Sequence, residues 1–367
     1  MDLEALRAAG VYDPAAPGAD ERLGLLEYLA GEGCTEEEMT LAHGRGRLFA
    51  LAGDRRIRPL VGLLTLREAA ARLEAEPALI ARAWRTLGLP DSGLDAALLT
   101  EGDVEALGTF LDVRTFLGEE TALGVARVVG AAMARITEAE TSAMRAGMGL
   151  IDLSVSGNEL VTAKAYAAVT RLVPRIGQLL DATHRQHLEA TRLHFEDIDR
   201  EVEDRAAFRC GIGFADLSGF TRLSQQLSLR ELSQVLTVFE EAATDTVQAR
   251  GGRIVKFLGD AVMWVSAEPD DLVRIASDLT THPRAVAAGI EVRAGLAYGR
   301  LLAQDGDYFG PPVNLASRLV SVAEPGQVLA AGELVDAIGA GWLAVPGLPQ
   351  TLKGFEDPVI PFTISPG

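Results

Sequence analysis

The sequence predicts two architectures in one chain: helices alone at first, then a ferredoxin-like βαββαβ core, an α+β sandwich. Three observations predict it. Leu3, Leu6, Leu23, Leu26 and Leu29 fall at helical spacing, and Gly and Pro break the pattern near 10–18 and 31–33. From Phe208 onward short apolar runs alternate with helical patterns. Within that second region, GGRIVKFLGDAVMWV at 251–265 reads as two strands, 253–257 and 261–265, joined by a tight Leu-Gly-Asp turn. Glycine supplies the positive φ that such a turn needs, and β-branched and aromatic flanks suit a sheet.

In order along the chain, Thr65-Leu-Arg-Glu68 is a capping box opening a helix to Leu73. A second helix, 77–87, starts on a proline suited to a first turn. The pair has the rhythm of a helix-turn-helix, and Arg82 and Arg85 on its second helix suit a DNA-reading role. The competing reading is a packing unit with Leu79, Ile80, Ala83, Trp84 and Leu87 on its core face. Residues 119–148 form a long Ala-rich helix, and 161–203 a longer one with a kink expected at Pro174.

From 208 the expectation is a strand at 208–215, helices at 217–226 and 229–249, the hairpin, and a helix at 270–280. A strand at 291–301, a helix at 313–323, a strand at 326–330 and a terminal pair near 348–353 and 358–365 follow. The domains are therefore an all-helical unit at 1–181, a connector helix at 182–203 and an α/β domain at 204–367.

Composition narrows the function classes. The 367 residues, 48% hydrophobic and 23% charged, suit a soluble globular protein of two or three domains. A net charge of −18 argues against a nucleic-acid partner held by phosphate neutralisation. Cys34 and Cys210 stand far apart with neither disulfide framework nor zinc spacing, which fits a reducing cytoplasm. The start, MDLEALRAAG, lacks the marks of a signal peptide, and the most apolar stretch, 121–136, is interrupted by Arg127 and Arg135, so no membrane span is expected.

Three motifs concentrate the chemistry. FADLSGFT carries Asp216, KFLGDAV carries Lys256 and Asp260, and DYFGPPVNLASR carries Asp307, Asn314 and Arg318. Read singly, Asp260 is a turn residue or a metal ligand, Asn314 a helix cap, and Arg318 a surface residue. Together, in this order and spacing, they resemble the class III nucleotide cyclases, with no departure at the six positions. The whole chain resembles the soluble bacterial adenylyl cyclases of class IIIc, whose all-helical N-terminal regulatory domain makes catalysis pH-dependent. LVPRIG at 172–177 is one local stretch of that wider likeness.

The resemblance implies an enzyme that converts ATP to 3′,5′-cyclic AMP and pyrophosphate. It implies two divalent ions, Mg²⁺ or Mn²⁺, at Asp216, Leu217 and Asp260, carboxylates being ligands that hard cations prefer. The Ser218, Gly219, Phe220 and Thr221 amides then stand where backbone donors can hold phosphate oxygens. Lys256 can only donate and ionised Asp307 can only accept, a polarity that matches adenine at N1 and N6. Asn314 and Arg318, at i and i+4 on one helix face, correspond to the ribose-orienting and transition-state-stabilising positions. Lys353 in LKG corresponds to a lysine contacting the terminal phosphates. In the family the metal carboxylates come from one chain and the remaining groups from the other, so a symmetric homodimer is expected.

His184, His187 and His194 lie on the connector. Either they are exposed side chains on a solvated helix, or their protonation near neutral pH reaches the catalytic domain. The alternative function, from another class, is a ligand-responsive regulator that binds DNA through 65–87 and uses the α/β domain as a sensor.

Overall fold

The computed structural model describes residues 1–147, 149–196 and 207–367. The chain divides into two compact units, Met1–Gln186 and His187–Gly367.

The first unit is built of helices, with one isolated bridge between Leu64 and Leu99 among its described residues. Its elements are α1 (Leu3–Ala8), α2 (Ala19–Gly31), α3 (Glu36–Gly44), α4 (Leu51–Ile57), α5 (Leu66–Arg72), α6 (Pro77–Thr86), α7 (Glu101–Leu117), α8 (Glu119–Gly147), α9 (Leu153–Ser156) and α10 (Glu159–Thr170), and α11 (Val173–Glu196) starts here. Thr65 caps α5 through the expected box with Glu68, and Thr35 and Thr100 build the same box on α3 and α7. Each box satisfies two backbone donors that a helix start otherwise leaves open. Two apolar clusters fill this unit. Leu6, Leu25, Leu29, Met39 and Leu51 anchor one, and Leu66, Ile80, Trp84, Leu107 and Leu123 anchor the other.

Ile80, Ala83 and Trp84 are buried, so the 65–87 pair packs a core as one of its two readings holds. Its arginines are occupied: Arg82 pairs with Glu119 at 2.9 Å and Glu120 at 3.5 Å, and Arg85 with Asp91 at 3.2 Å. Pro174 does not kink a long helix. α10 ends at Thr170, and Pro174 stands in the first turn of α11, where its missing N–H costs nothing. Residues 197–203 of the expected connector lie outside the described residues. No helix among the described residues is long and apolar enough to cross a membrane.

The second unit holds β1 (Ala207–Leu217), α12 (Phe220–Gln226), α13 (Leu229–Ala249), β2 (Arg253–Leu258), β3 (Ala261–Ser266), α14 (Pro269–Thr280) and α15 (Pro283–Ala287). It continues with β4 (Val292–Gln304), β5 (Asp307–Phe309), α16 (Pro311–Val322), β6 (Val328–Ala330), α17 (Gly332–Ala337), β7 (Trp342–Pro346) and β8 (Phe362–Pro366). One sheet runs in the order β2-β3-β1-β4-β6-β8-β7, with β5 paired to β4. β4 and β6 are parallel, and the other pairs are antiparallel. This is the expected α/β sandwich. Ala215, Leu217, Trp264 and Leu296 face the core built with Phe239 of α13 and Leu272 and Ile275 of α14. Cys210, Ile212, Phe214 and Met263 face the other way, against Ala316 and Leu319 of α16.

Two expectations shift. The terminal pair is β7 and β8, and 348–353 contributes just the isolated bridge of Gln350 to Val359. α16 begins at Pro311 rather than 313, because Pro311 and Pro312 occupy positions where no amide is needed. Its N-cap is therefore Gly310, which removes the capping role for Asn314.

Candidate active site

The sheet face covered by α16 gathers the chemistry. On β1 the alternation of Cys210, Ile212 and Phe214 brings Asp216 to that face, opposite Ala261 of β3 and Arg293 of β4. The hairpin turns at Gly259, whose φ of +67° is the left-handed conformation expected of it, and Asp260 follows. The Leu217 amide donates to the Asp260 carbonyl at 3.1 Å, so the end of β1 and the hairpin tip are tied by backbone. The Leu217 side chain is buried in the core, and its carbonyl is the group it can offer a ligand.

Burial pushes the Asp260 carboxyl above the usual aspartate range, and the charge of Asp216 adds to the shift while Arg293 opposes it. Two hard oxygen ligands thus stand close enough to repel, a donor set that fits a divalent cation of the Mg²⁺ or Mn²⁺ type. Among the described residues no group of three or more His, Cys, Asp or Glu that could hold a metal ion gathers.

Lys256 reaches this face through an irregularity. The β2–β3 register slips between Ile254 and Lys256, leaving Val255 as an extra residue and setting Lys256 opposite Met263. A bulge of this kind re-aims a side chain. The Lys256 ammonium forms an ion pair with Oδ2 of Asp307 on β5. Oδ1 of Asp307 accepts from the Tyr308 amide at 2.9 Å, which fixes the carboxylate's orientation. Next to this pair, Arg253 donates to the Tyr308 hydroxyl and lies over its ring.

α16 carries the third group. Gly295 of β4 lets the helix approach: a Cβ there would meet the Val320 amide nitrogen at 2.3 Å and the Ala316 carbonyl at 2.4 Å. Asn314 is exposed and Arg318 half-buried, one turn apart. The Arg318 guanidinium donates through Nε to the Lys353 carbonyl at 3.1 Å. The contact is to the backbone of Lys353, whose side chain is exposed.

The stretch from Ser218 to Thr221 is arranged differently from expectation. The Ser218 amide donates to the Glu291 carbonyl at 2.8 Å and is not open to a phosphate. α12 starts later, at Phe220 with Gly219 as its N-cap, so the Phe220 and Thr221 amides form the first turn. The Ser218 hydroxyl is buried and makes no hydrogen bond among the described residues.

Comparison with known proteins supplies what geometry alone does not. Residues 10–191 match the model of the adenylate cyclase regulatory domain, and residues 202–345 that of the adenylate and guanylate cyclase catalytic domain. An adenylate cyclase of Glutamicibacter nicotianae is 31% identical over 363 residues, covering 93% of this chain and 86% of that one. The chain belongs to the adenylate cyclase family. An uncharacterized protein of Mycobacterium tuberculosis is 50% identical over 364 residues, 99% of this chain and 94% of its own length. A second protein of that organism, a pH-sensitive adenylate cyclase, is 29% identical over 337 residues, 87% of this chain and 80% of that one.

In this adenylate cyclase family member the structure adds a residue that the motifs do not contain. Arg293 forks onto Asp216, with Nε 2.6 Å from Oδ1 and Nη2 3.1 Å from Oδ2. The sequence signal for it was an arginine alternating into an otherwise apolar strand, at EVRAGLAYG. His184 and His187 are exposed on α11, and the side chain of His194 lies outside the described residues.

Proposed function

We propose that the chain converts ATP to 3′,5′-cyclic AMP and pyrophosphate at sites shared between two copies of itself. The observation that carries the choice of adenine is the Lys256–Asp307 ion pair. Adenine offers an acceptor at N1 and a donor at N6, so the ammonium and carboxylate that pair with each other can turn to the base. Guanine presents the opposite polarity at N1 and O6.

Asp216, the Leu217 carbonyl and Asp260 are the groups that would hold two divalent ions. Bound there, such ions would supply acidification of the ribose 3′ hydroxyl and neutralisation of the pyrophosphate charge. Asn314 orients the ribose. Arg318, preorganised by the Lys353 carbonyl, stabilises charge developing on the α-phosphate, and the Lys353 ammonium holds the terminal phosphates. The Ser218–Thr221 turn lines the phosphate path through its Gly219, Phe220 and Thr221 backbone. Asp216 and Asp260 serve the site completed by the partner copy's α16, which makes the active form a symmetric homodimer.

Residues 1–181 act as the regulatory domain, 182–203 as the connector and 204–367 as the catalytic domain. The regulatory domain restrains catalysis near or above neutral pH and releases it on acidification, with the connector histidines as the candidate sensors. Two buried, unpaired thiols, Cys34 and Cys210, fit a cytoplasmic location. The test is product formation by the purified full chain with Mn²⁺ and either ATP or GTP, separated by chromatography. Cyclic AMP should dominate, and cyclic GMP as the main product would overturn the base assignment.

A further inference from the structure

The Arg293 guanidinium is held from two sides. Its Nε and Nη2 occupy both oxygens of Asp216, while Nη1 donates to the carbonyls of Ser321 and Ala323 at 3.3 and 3.1 Å. Those carbonyls lie at the C-terminal end of α16, where a helix carries partial negative charge. The pair is about one-fifth to one-quarter exposed, so water screens it incompletely.

We propose that Arg293 is a resident cation of the metal site, and that a divalent ion gains Asp216 only in competition with it. This rests on reading Asp216 as a metal ligand. The carbonyls of α16 keep the guanidinium from swinging away when the ion arrives, so its charge stays beside the incoming one. A unit charge roughly 5–6 Å from a dication, at a dielectric between that of surface and bulk water, lowers affinity by about one to two decades. Arg293 thus keeps the carboxylate oriented and neutralised at the cost of metal affinity. A purely structural role gives the opposite sign, because losing the fork would leave Asp216 misplaced and weaken binding.

The experiment is Mn²⁺ titration of the full chain without nucleotide, reading free Mn²⁺ by electron paramagnetic resonance. Arg293→Gln should bind Mn²⁺ about tenfold more tightly than the wild type. Arg293→Lys keeps a charge but loses the fork and the reach to α16, and should tighten binding about threefold. It carries the test if circular dichroism shows that the Gln variant does not fold. Unchanged or weaker binding in the folded variant overturns the proposal. Asp216→Asn in the wild-type background separates the two levels of the account. If it leaves Mn²⁺ binding unchanged, the metal assignment itself fails, and the competition with it. If it weakens binding tenfold or more while Arg293→Gln does not tighten it, the competition alone fails.

Discussion

Lys256 and Asp307, 51 residues apart in sequence, form an ion pair across strands β2 and β5 on the sheet face that α16 covers. Each is about 30% exposed, with 32% for the lysine and 28% for the aspartate, so both remain within reach of a ligand. If they read the base, Lys256→Glu combined with Asp307→Ser loses ATP turnover because the donor–acceptor pattern no longer suits adenine. Gain of GTP turnover is a lesser effect, since rejecting one base is easier than building a site for another. Steady-state cyclic AMP formation checks it. ATP turnover persisting within about threefold, less than one polar contact is worth, would contradict the assignment.

The two acidic residues at the proposed metal site should differ in what they do to stability. Asp216 is neutralised by Arg293, whereas Asp260 is held above its ordinary value, first by burial and then by the charge of Asp216. A carboxyl raised in the folded state contributes stability that is fully present below its unfolded value and lost as pH rises through its folded value. With a chelator present, Asp260→Asn should therefore melt higher than wild type at pH 7, and the gap should close as the pH falls and the carboxyl takes up its proton. Asp216→Asn should melt about 2–4 °C lower at pH 7, because it weakens a charge-assisted contact of Arg293. Both variants should lose cyclic AMP formation with Mg²⁺ and with Mn²⁺ while staying folded. Wild-type turnover in either would remove that residue from the metal site.

Gly295→Ala tests the seating of α16. A methyl at this position meets helix backbone on two sides, so the helix must move off β4 or the strand must bend. Overpacking of this kind costs about 1–3 kcal/mol, and the displacement carries Asn314 and Arg318 with it. Cyclic AMP formation should fall about 10²-fold or more, comparable to loss of a transition-state donor. Normal stability and turnover would show that the helix has room that the geometry denies it.

Regulation is tested by comparing pH–rate profiles of the full chain and of residues 204–367. The profiles should differ, with the full chain more active on the acid side. Superimposed profiles would reject restraint by the helical domain. The triple variant His184→Ala, His187→Ala and His194→Ala then asks which groups respond. If it keeps the difference, the domain senses pH through other residues.

Much of this was legible in the sequence, for identifiable reasons. The 253–265 hairpin was readable because its two apolar runs are short, β-rich and separated by a Gly-Asp turn. The capping box at Thr65 was readable because its chemistry is local. The bulge at Val255 was not, because pairing register depends on β3, and no local residue type announces the slip. Arg293 was missed because its meaning comes from Asp216, which lies 77 residues earlier in the chain and on a neighbouring strand. β7 was misplaced by several residues: WLAVP at 342–346 is the more apolar run and LPQTLK at 348–353 the poorer one, and the pairing with β8 falls on the former. The Lys256–Asp307 ion pair joins two of the motifs, whereas the contacts that orient the motif residues, Arg293 to Asp216 and Arg318 to the Lys353 carbonyl, reach outside them.

The central claim, a site assembled from two copies, is tested most directly by mixing two damaged chains. Asp260→Ala and Asn314→Ala should each be nearly inactive as homodimers. In a mixed dimer one site receives both lesions, and the other receives intact Asp216 and Asp260 from one chain and intact Asn314 and Arg318 from its partner. With random exchange about half of the dimers are mixed and each has one of its two sites whole, so two-fold symmetry predicts roughly a quarter of wild-type activity on co-expression. Mixed dimers demonstrated by differential tags, yet with activity no higher than either parent, would contradict the shared-site account.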